Sequence, residues 1–202
     1  MDVPWESEKS AWDKLSLLPP EEVCPRAEVT YHPIEGFYRV KFFSSYLLVS
    51  LKDRSITEVA MEMPLWSKVK NGGSLVVLHY LLRARNIPFT CELINPLSLP
   101  GGEIYRTGYH VLPLDKVATR YATDLTGFLA KGKSLHGHPL AFGDASFMLR
   151  PLPRIAVAFV LWLENGEFPA RVSLLVDSSV KEQLPPDILW LALMMCVTLV
   201  QE

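Results

Sequence analysis

Residues 188–200 are almost purely apolar, and Pro185, Pro186 and Asp187 stand directly before them. Such a run must be taken out of water. It is shorter than the roughly 20 residues that a membrane-spanning helix needs. It therefore predicts a helix buried in a core, or in a contact between subunits, in preference to a membrane anchor. The rest of the chain can supply that core. Of its 202 residues 49% are hydrophobic and 21% charged, a balance that favours a packed domain over disorder.

The hydrophobic period changes twice along the chain. Residues 6–17 read as an amphipathic helix with Trp12, Leu15 and Leu18 on one side, and Pro19-Pro20-Glu-Glu opens a second short helix. Period-two alternation then takes over. Strands are expected over residues 28–31, 37–43 and 46–51, with His32-Pro-Ile-Glu-Gly36 as a turn, forming an antiparallel meander. In the second of these strands Phe37, Arg39, Lys41 and Phe43 alternate with Tyr38, Val40 and Phe42.

Helical spacing returns at residues 64–70. Asn71-Gly-Gly73 should break or kink that helix, since two glycines cost about 2 kcal/mol in a helix interior. Ser74 is a candidate cap for the resumed helix, and Asn86-Ile-Pro88 should end it. Short helices are expected over residues 114–121 and 124–131, followed by a glycine- and histidine-containing loop over 131–144. Strands are expected again over 146–149, 155–163 and 171–176. Glu164-Asn-Gly-Glu167 is the turn between the last two, and Trp162 with Glu167-Phe-Pro169 reads as an aromatic hairpin closing one edge of the core. There is no repeat and no clear linker. The pattern predicts one α+β domain over residues 1–202, with residues 1–9 flexible. Antiparallel strands lie near both ends, with a central helical region and a C-terminal apolar helix.

Chemistry-bearing residues concentrate in residues 64–106. Steps of three and four place His79, Arg83 and Asn86 on one stripe of an otherwise apolar helix, a stripe that could face solvent, a carboxylate or a ligand. The loop Leu99-Pro-Gly-Gly102 could let backbone N–H groups approach an anion, and Arg106 could add a bidentate contact. A plain turn satisfies the same residues. His136-Gly-His138 offers two metal ligands where a site usually needs three or four. Asp144 and Asp177 precede hydroxyl residues in a pattern that turns and caps also use.

Composition excludes several classes. A net charge of −2 without a long basic cluster gives no support for nucleic-acid binding. The three cysteines, Cys24, Cys91 and Cys196, are far apart, so neither a disulfide framework nor a zinc site is expected. They predict free thiols in a reducing, cytoplasmic setting. The acidic start, Met1-Asp-Val-Pro-Trp-Glu, predicts no secretory signal. Neither a Walker loop nor a Gly-x-Ser-x-Gly elbow is present.

Taken in order, Pro64-Leu-Trp66, Leu78-His-Tyr-Leu-Leu82, Pro88, Leu99-Pro-Gly-Gly102, Gly143-Asp-Ala-Ser146, Leu152-Pro153, Val160-Leu-Trp162, Glu167-Phe-Pro169, Val176-Asp-Ser-Ser179 and Leu184-Pro185 form a set. Over residues 10–190 this set resembles the family called Domain of Unknown Function 3786. The resemblance implies a protein of anaerobic bacteria or archaea. Some members of the family carry a four-cysteine iron–sulfur module, which these three cysteines cannot form, so an iron–sulfur or corrinoid link would run through a partner. The family motif corresponds here to His79, Tyr80, Gly101, Gly102, Asp144 and Trp162.

Three functions are therefore expected to compete. The first is an accessory or binding protein holding a small anionic ligand, or a tetrapyrrole or corrinoid, with His79, Tyr80, Arg83, Gly101, Gly102, Arg106 and Asp144 as site residues. The second is an enzyme with His79 as general acid or base and Asp144 orienting it. The third is an interaction module that forms a homodimer, or docks an iron–sulfur protein, through the C-terminal helix. The resident cofactor is not fixed by the sequence, and no metal site is expected.

Overall fold

The computed structural model describes residues 7–59, 64–106 and 108–202. The chain is an α+β protein. Helix α1 (Glu8–Leu15) is capped by Ser7, whose side chain accepts from the Ser10 N–H, and it buries Ala11, Trp12 and Leu15. The flexibility expected of residues 1–9 falls mostly on residues 1–6, outside the described residues. Helix α2 (Pro20–Ala27) starts on a proline and stops where Glu28 turns left-handed, at φ 55°.

A four-stranded antiparallel sheet follows, in chain order: β1 (Thr30–His32), β2 (Phe37–Phe42), β3 (Ser45–Ser50) and β4 (Ser55–Glu58). The meander thus has one strand more than the sequence pattern predicts. β4 lies at the edge and is mostly polar, with no clear apolar alternation to mark it. Tyr38, Val40 and Phe42 of β2 and Leu47 and Val49 of β3 are buried on one face. Arg39, Lys41 and Tyr46 stand on the other, and Lys41 pairs directly with Tyr46 across the strands.

Helix α3 (Trp66–Arg83) breaks its own geometry at Asn71 and at Gly72, where φ is 84°. The expected kink is there. Gly73 is needed for a second reason: a Cβ on it would come 2.9 Å from the Trp66 ring. Two short 3-10 turns, Pro96–Ser98 and Gly102–Arg106, occupy the loop that follows. Helices α4 (Leu114–Arg120) and α5 (Leu125–Ser134) come next, the latter capped by Asp124.

The second sheet has five antiparallel strands in the order β5-β9-β8-β7-β6. They are β5 (Leu93–Ile94), β6 (His138–Leu140), β7 (Ala145–Leu152), β8 (Ile155–Trp162) and β9 (Arg171–Asp177). Two expectations need correction here. The stretch over 131–144 is not simply a loop: α5 runs on to Ser134, and residues 138–140 form an edge strand paired with β7. The connection from β8 to β9 is not an aromatic hairpin that closes the core. Asn165 folds it by accepting from the Glu167 and Phe168 N–H groups, and Phe168 is 66% exposed. Trp162 is covered instead by the Arg171 guanidinium, 4.1 Å from the ring centre.

Helix α6 (Pro186–Gln201) packs on α3 and runs through the core. None of its residues is exposed. Among the described residues, no helix is long and apolar enough to cross a membrane.

Candidate functional site

Of the residues singled out in the sequence, Arg83 lines a cleft, and the others are placed as follows. His79 and Tyr80 are buried in α3. The Tyr80 hydroxyl donates to the Ala27 carbonyl at 2.7 Å and accepts from the Arg154 N–H at 3.2 Å. Burial pushes that hydroxyl well above the usual tyrosine range, and the nearby Arg154 offsets it only in part. Arg83 is exposed at the end of the same helix. It lines a cleft of about 390 Å³ with Leu99, Pro100, Lys181 and Glu182.

The glycine pair sits beside that cleft and has a packing role. Gly101 has φ 77° and its Cβ would lie 2.8 Å from the Pro186 ring, while a Cβ on Gly102 would run into the Pro96 carbonyl. The loop is therefore drawn tightly against the start of α6, and Tyr105 fixes it there by donating to the Pro186 carbonyl at 2.6 Å. Arg106 is exposed on the second 3-10 turn and does not line this cleft. Asp144 is exposed in front of β7, where it accepts from the Leu163 N–H at 2.8 Å. It helps to tie the end of β8 to the start of β7.

A larger cleft of about 810 Å³ opens elsewhere. One wall is the outer face of the first sheet, with Thr30, Arg39, Lys41 and Tyr46. The other comes from His136, His138 and Arg150 on the second sheet and the loop leading to it. Glu28, Phe43 and Pro153 are also in its lining. The two sheets meet where the Phe43 N–H approaches the Pro151 carbonyl at 3.4 Å. A volume of this size falls in the range of small-molecule sites.

Two properties set this cleft apart. The first is charge. Among the described residues, Arg39, Lys41 and Arg150 form no ion pair. Glu28, the one acid in the lining, faces the Arg154 guanidinium at 3.8 Å. The cleft is thus left with uncompensated positive charge on a chain whose net charge is −2. Both arginines rest on aromatic rings. The Arg39 guanidinium carbon lies 3.9 Å from the centre of the Tyr46 ring, and that of Arg150 lies 4.7 Å from Phe89. Lys41 shares the Tyr46 ring at 4.8 Å. Seated this way, a guanidinium keeps its N–H edge available for an oxyanion.

The second property is backbone conformation. Five described non-glycine residues have positive φ, and three of them, Glu28, Phe43 and His136, line this cleft. Each sits where the chain reverses: Glu28 ends α2, His136 follows the end of α5, and Phe43 is in the two-residue turn between β2 and β3.

The cleft's frame is held by Arg154, which the sequence reading passed over. Its Nε donates to the Arg26 carbonyl at 2.8 Å, Nη1 to the Ile87 carbonyl at 3.1 Å and Nη2 to the Asn86 side chain at 2.7 Å. One side chain thereby joins the β7–β8 turn, the end of α2 and the exit of α3. The only sequence hint was its place after Leu152-Pro153.

No cluster of three or more His, Cys, Asp or Glu side chains among the described residues is placed to hold a metal ion. Burial pushes the Cys196 thiol up, and burial followed by the Glu21 carboxylate does the same to Cys24, so neither is an activated nucleophile.

Comparison with known families decides the relationship. A family described as Domain of unknown function (DUF3786) matches residues 19–199. The chain belongs to that family. The DUF3786 region takes in both sheets, all but the last two residues of α6 and every residue that lines the large cleft. No curated protein and no solved structure matches the chain.

Proposed function

We propose that the protein binds an anionic organic ligand in the cleft between its two sheets and acts as a binding or accessory protein. The observation that carries this reading is the set of Arg39, Lys41 and Arg150, unpaired around a cleft of about 810 Å³ whose one carboxylate faces Arg154. Three cations facing one cleft without counter-ions cost free energy through mutual repulsion, and bound anionic groups reduce that cost. The aromatic seats under the arginines lower the entropy lost when they grip a ligand.

The proposal shifts the ligand away from the Pro-Gly-Gly loop, where Arg83 and Lys181 line a cleft of less than half the volume. It also gives His79 no part in proton transfer. That side chain is 4% exposed and lines neither cleft, whereas a general acid or base must reach its substrate. Docking through α6 has no exposed apolar stripe to work with.

The test is binding at low salt, measured by calorimetry and by native mass spectrometry of the protein as purified. The probes are inorganic phosphate, organic phosphates, polycarboxylates, haem and a corrinoid. The last two address the tetrapyrrole and anaerobic setting that the family resemblance suggests. At least one probe should bind, and Lys41→Gln should weaken it several-fold. If every probe fails to bind, or if Lys41→Gln and Arg39→Gln leave binding untouched, the reading is wrong.

A further inference from the structure

The cations of the large cleft fall into two separately anchored centres. Arg39 and Lys41 project from β2 and share the Tyr46 ring, at 3.9 and 4.8 Å. They form a single centre on the first sheet. Arg150 projects from β7 and is seated on a different ring, Phe89, at 4.7 Å. It forms the second centre, on the second sheet. The strands that carry the two are joined where the Phe43 N–H meets the Pro151 carbonyl. The Arg154 bonds hold the same end of the β7–β8 hairpin against α2.

A single small oxyanion fits this arrangement poorly. Held by either centre alone, it leaves the other centre without a counter-ion. It would also fill only a small part of about 810 Å³. The lining also includes Val29, Phe43, Leu135 and Pro153, apolar side chains that can meet the body of an organic molecule.

We infer that the ligand is an organic molecule carrying two separated oxyanion groups, phosphoryl or carboxylate, one held by Arg39 and Lys41 and the other by Arg150, so that it bridges the two sheets. This inference rests on the anion-binding reading above and adds the ligand's class and orientation. Bridging makes the second contact intramolecular, so affinity should depend on the distance between the anions. Arg39 and Arg150 are then specificity-determining residues for ligand length.

The experiment uses the full chain and a series of alkane bisphosphonates of increasing methylene number, with alkyl monophosphonates as controls. A parallel series of dicarboxylates and monocarboxylates shows which oxyanion is preferred. Affinities are measured by calorimetry at low salt. The bis-anion of best length should bind at least about tenfold more tightly than its mono-anion. Arg39→Gln and Arg150→Gln should each bring the bis-anion down to mono-anion affinity, and both together should weaken it further, since the arginine of each centre is then gone. Circular dichroism melts confirm that the variants are folded.

The inference is overturned if bis-anions of every length match the mono-anions apart from the twofold statistical factor, or if one arginine carries the whole effect. Binding of mono-anions in that case leaves the anion-binding reading standing. Failure of both series to bind overturns the two together.

Discussion

The Tyr80 hydroxyl donates to the Ala27 carbonyl at 2.7 Å, linking the last turn of α3 to the last residue of α2. The same oxygen accepts from the Arg154 N–H, so three parts of the chain meet on one atom. Tyr80 is fully buried, and removing the oxygen leaves the Ala27 carbonyl without this donor. Tyr80→Phe should therefore lower stability by about 1–3 kcal/mol, the cost of a buried polar group losing its partner. Anion affinity should change little, because Tyr80 does not line the cleft. Urea denaturation alongside calorimetry separates the two effects. Unchanged stability with lost binding would make Tyr80 a ligand contact instead.

Asp177 supports a prediction about pH. The side chain is 3% exposed and accepts from the Thr90 N–H at 3.1 Å, the Thr90 hydroxyl at 3.0 Å, the Cys91 N–H at 2.8 Å and the Ser179 N–H at 3.0 Å. Burial alone would raise its pKa, but the hydrogen bonds from Ser179 and Thr90 outweigh burial and hold it below the ordinary aspartate value. A carboxylate depressed in the folded state stabilises the fold above its unfolded pKa, about 3.9. That contribution is lost as pH falls from there through the folded pKa. Asp177→Asn replaces an acceptor with a donor facing N–H groups. It should cost about 1–3 kcal/mol at neutral pH. Its melting temperature should fall less steeply than that of the wild type below about pH 4. Parallel melts of the two proteins across that range test this, and parallel curves would show that Asp177 does not titrate with folding.

Much of this fold is legible in the sequence because its main elements bury one face and so carry a period. Trp12 and Leu15 mark α1, and Tyr38, Val40 and Phe42 mark β2. Asn71 and Gly72 mark the kink in α3 through backbone chemistry alone. Strands β4, β5 and β6 carry no such mark. They are short, partly exposed edge segments whose pairing is decided by the neighbour, as when His138 pairs with Met148. The candidate site was harder to read for a related reason. The stripe of His79 and Arg83 runs from the core out to the surface, so one helix face holds a packed histidine and an exposed arginine with different jobs. The large cleft draws on residues 25–46 and 135–153, which no local spacing connects. Arg39 and Lys41 were visible as alternate residues of a strand, but only the tertiary fold brings Arg150 across from them.

Gly132 tests how tightly α5 sits on the second sheet. A Cβ there would overlap the Phe147 ring. That ring cannot easily yield, since Phe128 packs on it at 4.7 Å and Phe159 at 5.7 Å between ring centres. In an exposed helix Gly→Ala gains about 1 kcal/mol, but forcing a methyl into a packed core costs about 1–3 kcal/mol. Gly132→Ala should therefore be net destabilising, by roughly 1 kcal/mol. Thermal melts decide the sign. A stabilised variant would mean that the ring has room to move.

Glu28 tests the electrostatics of the large cleft from the opposite direction to the arginine variants. It is the one acid in the lining, it lies 3.8 Å from Arg154, and its side chain is 65% exposed. An exposed ion pair of this kind contributes at most about 1 kcal/mol to stability, so Glu28→Gln should fold normally. The substitution also removes a negative charge that repels any anion approaching Arg39, Lys41 and Arg150. Anion affinity should rise by about two- to fivefold at low ionic strength. The gain should fade at about 1 M salt, where screening acts over only about 3 Å. Calorimetry at two salt concentrations reads both effects. An affinity that falls on losing Glu28, or a gain that survives high salt, would mean that Glu28 contacts the ligand directly instead of acting through the field of the cleft.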